Sequence, residues 1–178
     1  MELPALSLNE WLVLALIAEE PTHGFAIARL TSAAGPLGTI WQIPKPLVYR
    51  AIGRLAELGL IRHEAIEPST TGPQRALVAA TDTGRAAMAA WLVTPVEHIR
   101  DVRSELLLKL ALLDRAGLDP GPLIEAQRAR IDPLIAALRQ RHEKATGFDR
   151  TLTAWRHESA QTVLRFLTIL QTPPAPSP

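Results

Sequence analysis

The chain has 178 residues, enough for one large domain or two small ones. Its 47% hydrophobic and 21% charged residues can form a core, which excludes an intrinsically disordered protein. The absence of cysteine excludes disulfides and thiolate metal sites. No apolar run approaches the ~20 residues of a membrane helix, and no basic segment opens the chain as in a signal peptide. We therefore expect a cytoplasmic protein.

The net charge is only +1, but the charges are unevenly distributed. The stretch from Pro21 to Ala56 has no Asp or Glu, and its basic residues are Arg29, Lys45, Arg50 and Arg54. An acid-free stretch of this length is typical of a face that meets phosphate, although it also arises by chance.

Three helices are predicted in the first third of the chain. A capping box at Ser7 and Glu10 predicts a helix to about Glu19 that is apolar nearly all round. A short second helix follows Pro21, with Thr22 as its expected N-cap. The third helix has Pro46 in its first turn and Gly59 as a left-handed C-cap. Its apolar stripe is formed by Val48, Ala51, Ile52, Leu55 and Leu58.

Two short apolar runs, Leu60 to Ile66 and Ala76 to Ala80, flank a link with turn composition and predict a hairpin. A fourth helix runs from there to about Val93. Three helices followed by a hairpin are the order of a winged helix-turn-helix, whose third helix enters the major groove of DNA. We therefore expect DNA contacts from Lys45, Tyr49, Arg50, Arg54, Thr71, Gln74 and Arg75. The alternative is that these residues only solvate an exposed face.

After residue 95 the pattern predicts long helices only, over about 101–115, 119–144 and 149–171, with a kink at Pro133. The fold class is therefore mainly α. The predicted domains are a winged helix-turn-helix over 1–95, a helical dimerisation domain over 96–171 and a disordered tail over 172–178. One stripe of the last helix carries more apolar surface than a lone helical arm can bury. We therefore expect a homodimer whose contacts are made by Leu152, Trp155, Val163, Phe166 and Leu170.

Several segments in order carry a resemblance to a known family: Pro21-Thr22-His23-Gly24-Phe25, the run from Val48 to Leu55, Gly59-Leu60-Ile61, and Arg75 with Thr81 to Arg85. Over residues 7–91 the chain resembles the PadR family of transcriptional regulators. Residues 104–110 resemble the start of the long helical arm in one branch of that family. Departures are Pro44-Lys45-Pro46 before the third helix, and Leu77 and Val78 where a wing tyrosine is usual.

The resemblance implies a homodimer that binds operator DNA and acts mostly as a repressor. Some relatives bind planar hydrophobic or phenolic ligands, so Trp11 and Trp91 are candidates for an aromatic effector pocket, although core packing is the alternative role for both.

No enzyme motif is recognisable. The five histidines are scattered, with no pair at zinc-helix spacing, and no serine lies in a nucleophile elbow. We expect no catalysis, metal or cofactor. His23, in a turn, is interpreted as bonding a helix end. The sequence and the resemblance together predict a homodimeric repressor that binds an inverted repeat and whose DNA binding is relieved by a small hydrophobic or aromatic effector. The alternative is a helical protein-interaction module whose winged helix no longer binds DNA.

Overall fold

The structure is a computed structural model that describes residues 3–67 and 75–171. It divides into two compact units. The first unit combines the chain up to Leu92 with Leu107–Leu118, and the second combines Val93–Leu106 with the chain from Asp119 onward. Residues 107–118, which the sequence assigns to the helical arm, therefore group with the winged helix instead.

The first unit confirms the predicted order of helices and hairpin. Its elements are α1 (Leu8–Glu19), α2 (Gly24–Leu30), α3 (Lys45–Glu57), β1 (Ile61–Glu67), β2 (Arg75–Ala80), α4 (Asp82–Val93) and α5 (Leu107–Arg115). The two strands pair antiparallel, from Ile61 opposite Ala80 to Glu67 opposite Arg75, with an irregularity between His63 and Ile66. The fold class is thus mainly α, with a two-stranded wing.

The centre of the first unit is α1. The predicted capping box is present: the Ser7 backbone N donates to Glu10 Oε2 at 2.6 Å, and the Glu10 N donates to Ser7 Oγ at 3.4 Å. Residues 11–17 are all buried, because α1 packs against α3 on one side and β2 on another. At its end, the Arg115 guanidinium of α5 donates to both carboxylate oxygens of Glu19, at 3.0 and 2.8 Å. This hydrogen bonding raises the pKa of Arg115 above its already high value.

The start of α2 differs in detail from the prediction. His23, not Thr22, is the N-cap, since its Nδ1 accepts from the Ala26 backbone N at 3.1 Å. Thr22 instead pairs with Val78 of β2 through two backbone hydrogen bonds of 3.0 and 2.8 Å. The structural role expected of His23 is confirmed, while the backbone of Thr22 ties the turn before α2 to the wing.

The third helix is docked as its pattern predicts. Val48, Ala51, Ile52 and Leu55 are buried, while Leu58 at the C-cap is exposed. Gly59 has φ +67°, and the Leu60 N donates to the Leu55 carbonyl at 3.0 Å, which completes a Schellman motif. This closure ends α3 and starts β1 in a fixed direction.

In the second unit, a 3₁₀ turn (Ile99–Asp101) and a π-helical turn (Val102–Leu106) precede two long helices, α6 (Gly121–Lys144) and α7 (Gly147–Gln171). The two long helices pack against each other, and α6 continues through Pro133. The buried Gln127 amide accepts from the Val96 N at 2.8 Å and donates to the Val96 carbonyl at 3.3 Å. Within the described residues, no helix combines the length and apolarity needed to cross a bilayer.

The docking of α3 is testable by comparing two leucines of the same helix end. Leu55→Ala should lower the free energy of unfolding by about 2–5 kcal/mol, because it opens a cavity beneath a fully buried side chain. Leu58→Ala removes an exposed side chain and should change it by less than about 1 kcal/mol. Urea denaturation of both variants measures the difference, and equal losses would contradict this orientation of α3.

Candidate nucleic-acid interface

One face of α3 presents the residues that the sequence assigns to DNA. Lys45, Tyr49, Arg50 and Arg54 are all exposed, opposite the buried stripe of the helix. Since none of them contributes its bulk to the core, this face is available for a ligand.

The two arginines of this face differ in their surroundings. Arg54 Nη1 lies 3.3 Å from Glu57 Oε2, and both side chains are solvent-exposed. Such surface pairs contribute little free energy, so phosphate can replace the carboxylate. Arg50 makes no ion pair with any residue of the described ranges. The Arg50 guanidinium can therefore bind an anionic ligand directly, whereas that of Arg54 must first give up its pairing with Glu57.

The start of α3 adjoins a cationic and aromatic surface that the site prediction missed. Lys45 Nζ lies 5.6 Å from the centroid of the Phe25 ring, and Phe25 is exposed. Arg29, on the same short helix as Phe25, lines a groove of about 330 Å³ together with Gln42 and Lys45. The acid-free stretch of the sequence includes Arg29, and this signal was enough to nominate it.

The predicted wing contacts fall largely outside the described residues. Thr71 and Gln74 belong to that part of the chain, and Arg75 is described only as the first residue of β2. Their contact with DNA stays a prediction.

Trp11 and Trp91 form a ring stack, with centroids 5.0 Å apart and planes 5° apart. Both are buried, and Lys109 Nζ lies 4.6 Å from the Trp91 ring centroid with 1% of Lys109 exposed. The rings thus cover each other's inner faces, so a ligand must part them or use their outer surfaces. This packing is the alternative role considered for the two residues.

The predicted dimerisation residues separate into two faces of α7. Trp155 is 72% exposed and Leu170 is also exposed, while Leu152 and Phe166 are partly covered. Val163 is only 6% exposed, because it lies on the side of α7 that packs within the second unit. Val163 is therefore corrected to an internal packing residue.

The exposed face of α7 contains two large side chains absent from the prediction. Phe148 is 78% and Ile169 is 69% exposed. With them, alternating steps of four and three residues join the set Phe148, Leu152, Trp155, Ser159, Thr162, Phe166 and Ile169, which we call the outer seam. A coiled-coil contact line has this 3.5-residue period, and reading the sequence for it would have found both residues.

Three helices with a basic third helix, followed by an antiparallel hairpin, define a winged helix-turn-helix domain. Residues 13–90 match the family described as the transcriptional regulator PadR-like family. This match places residues 13–90 in the PadR-like family of transcriptional regulators. A comparison with curated proteins finds no match.

The chain also has similarities to solved structures. The chain is similar to Bacillus subtilis PadR in complex with operator DNA, at TM-score 0.49 and 18% identity over 92% of this chain and 97% of that one. For B. subtilis PadR in complex with p-coumaric acid, the TM-score is 0.42 at 17% identity, over 92% and 96% of the two chains. For a PadR-like transcriptional regulator from Bacillus cereus, the TM-score is 0.44 at 20% identity, over 94% of this chain and 96% of that one. At these TM-scores, the similarities assign no function to this chain.

Two glycine substitutions test the geometry of the α3 face. An added Cβ at Gly24 would lie 2.8 Å from Tyr49 Cε1, so Gly24→Ala should displace the Tyr49 ring. Gly53, on the exposed face of α3, has no atom within 4 Å of an added Cβ, so Gly53→Ala should stabilise the helix by roughly 0.5–1 kcal/mol.

Tyr49 is the only tyrosine in the chain, so ¹³C-labelled tyrosine gives a single reporter. We expect its ring resonances to move in Gly24→Ala and to stay in Gly53→Ala, while only Gly53→Ala raises Tm. A tyrosine signal unmoved by Gly24→Ala would contradict the contact between the start of α2 and Tyr49.

Proposed function

We propose that this protein is a sequence-specific, homodimeric DNA-binding transcriptional regulator whose α3 reads operator DNA. The observation that carries the proposal is the division of α3 into a buried apolar stripe and an exposed face with Lys45, Arg50 and Arg54. The segment from Pro21 to Ala56 adds no carboxylate to this face that would repel phosphate, and Glu57 follows it at the end of α3.

The dimensions of the face suit the major groove. An α-helix with its side chains is about 10–12 Å across, which fits a groove about 12 Å wide. Lys45 and Arg54 lie nine residues apart, about 14 Å along the axis of α3. Arg50 lies between them with no ion-pair partner in the described ranges, so its guanidinium is the group best placed to fork onto a guanine edge. Lys45 and Arg54 then contact phosphates, which fix the register of the helix on the duplex.

The outer seam of α7 supports a homodimer. Phe148, Trp155 and Ile169 expose more apolar surface than a helix of a soluble monomer usually does. The opposite face of α7, with Thr153, Ala160, Val163 and Leu167, is already buried in the second unit. A second copy of the chain that lies along the outer seam would cover this surface.

Charge selects the direction of that pairing. In an antiparallel arrangement with Ser159 of each copy opposite Thr162 of the other, Trp155 lies opposite Phe166 and Glu158 lies beside Arg165. Shifting the register by one heptad brings Glu158 beside Glu158 of the other copy, which is repulsive. A parallel pairing offers Glu158 no basic partner. We therefore propose the antiparallel register with its two Glu158–Arg165 pairs.

A two-fold dimer presents two copies of α3, so its operator is an inverted repeat with half-sites about one helical turn, ~34 Å, or a multiple of it apart. We further propose that the protein acts as a repressor relieved by a small hydrophobic or aromatic effector. Support for this last part comes from the family resemblance. The Trp11–Trp91 stack does not add to it, because its rings leave no ready-made space between them for a ligand.

The α3 face is tested with operator DNA recovered by selection from random sequence. Arg54→Ala should lower the slope of log affinity against log salt by about two per dimer, since each lost phosphate contact contributes ~0.9 and is lost twice. Glu57→Gln should raise affinity, because it removes the carboxylate that competes with phosphate for Arg54. Arg50→Ala should relax base preference at one position of each half-site at a loss of ~1–3 kcal/mol.

Arg139→Ala, an exposed arginine of the second unit, is the matched control and should change none of these quantities. If the selection yields no sequence, or if Arg50→Ala and Arg54→Ala bind as the parent does, the α3 face is not the DNA surface. The protein-interaction module then becomes the better interpretation.

The dimer is tested by exchanging charges across the seam. Glu158→Arg and Arg165→Glu should each weaken dimerisation, because each places like charges together, and the double variant should restore it. Both side chains are exposed in the single chain, so the folded unit is unaffected. Sedimentation equilibrium measures the dimer dissociation constants. A monomeric parent protein at micromolar concentration, or no rescue in the double variant, would contradict the proposed pairing.

A further inference from the structure

Phe25 is a large apolar side chain displayed on a surface that otherwise suits phosphate. It is 52% exposed in the first turn of α2, beside Lys45 at the start of α3. We propose that Phe25 contacts the C5-methyl group of a thymine in the operator and so determines specificity at one position of each half-site. This inference rests on the proposed function and adds a base contact from α2 to those of α3.

The position of the Phe25 ring is set by its neighbours. Lys45 Nζ lies 5.6 Å from the ring centroid, and the His23 ring meets it edge to face, with centroids 6.5 Å apart and planes 75° apart. His23 is itself held as the N-cap of α2, because its Nδ1 accepts from the Ala26 backbone N. The preceding residue, Thr22, is paired with β2 through its backbone. The ring thus projects from a fixed turn, which is what contact with one particular base requires.

The groove beside Phe25 combines apolar surface with positive charge. Phe25, Ala28 and Pro44 contribute apolar surface, and the charged residues in its lining are Arg29 and Lys45. Both charges are positive, so the backbone of a duplex is attracted to the same surface that displays the ring. This combination favours DNA over an uncharged apolar partner as the occupant.

A phenyl ring is suited to one group on the edges of the base pairs. It has no hydrogen-bond donor or acceptor, so covering a polar base edge with it would leave polar atoms unpaired, which costs free energy. The major groove displays an apolar group at thymine, its C5-methyl, and phenylalanine is among the side chains that contact this methyl. The exposed ring of Phe25 therefore favours thymine over the other bases.

The placement of the ring also predicts where this thymine lies. Lys45, next to the ring, and Arg50 are five residues apart on α3, which is about 7.5 Å along the helix axis. Base pairs follow each other at about 3.4 Å along the duplex. With α3 lying along the major groove, the thymine should be within about three base pairs of the base whose preference Arg50→Ala relaxes.

The test changes the DNA before it changes the protein. With the full chain and an operator recovered by selection, each thymine is replaced in turn by uracil, which lacks the methyl group and keeps the polar edge of the base. One thymine in each half-site should be sensitive, with affinity roughly fourfold lower per half-site, as expected for one methyl group left in water. Phe25→Ala should bind the thymine and uracil operators equally, which a double-mutant cycle of residue and base measures.

Three further variants serve as controls. Arg50→Ala should weaken binding to both operators by the same factor and preserve the ratio of thymine to uracil affinity. Leu58→Ala, which removes an exposed apolar side chain at the other end of α3, should change neither affinity nor ratio. Phe25→Leu keeps an apolar contact and should retain part of the ratio. Because the ratio compares two DNAs on the same protein, a small loss of stability in a variant cancels from it.

Each alternative result has a distinct meaning. If the operator is bound but no uracil substitution weakens binding, the methyl contact is wrong and the proposed function stands. If Phe25→Ala weakens binding to both operators equally, the ring contacts the sugar-phosphate backbone, and the inference is overturned. A uracil effect that persists in Phe25→Ala overturns it as well, since another residue then contacts the methyl. If selection recovers no operator, the proposed function fails and this inference fails with it.

Discussion

The first unit depends on the burial of one helix on more than one side. Because α1 is apolar nearly all round, it must be enclosed, and α3 and β2 supply two of its walls. The need to cover α1 fixes the buried stripe of α3, and the stripe in turn decides which α3 residues face outward. The cationic face is therefore a consequence of core packing: once Val48, Ala51 and Leu55 point inward, Arg50 and Arg54 have no other direction available.

Local signals in the sequence were sufficient for much of this unit. The capping box, the proline in the first turn of α3 and the glycine at its end act over a few residues, and each was predicted at the right position. The N-cap of α2 was misassigned because Thr22 and His23 both suit the role, and the choice depends on a long-range backbone pairing of Thr22 with β2. The grouping of α5 with the first unit has the same cause, since the Arg115–Glu19 contact joins residues 96 positions apart.

In the second unit, the dimer-contact residues were predicted only in part, because α7 has two apolar faces. A single stripe read at helical spacing mixed them, so it included Val163 from the inner face and missed Phe148 and Ile169 on the outer one. Sequence alone shows how much apolar surface a helix carries, but which side is covered depends on where α6 packs.

The link between Thr22 and Val78 has a consequence for how such a domain can diverge. Both of its hydrogen bonds are made by main-chain atoms, so almost any residue at either position preserves them, proline excepted. The turn that leads into α2 and β2 of the wing are thus held together by two hydrogen bonds that are largely insensitive to mutation. Substitutions in the exposed side chains of α3 can accumulate over generations without loosening this joint, so the chemistry of that face can change while the backbone that carries it stays the same.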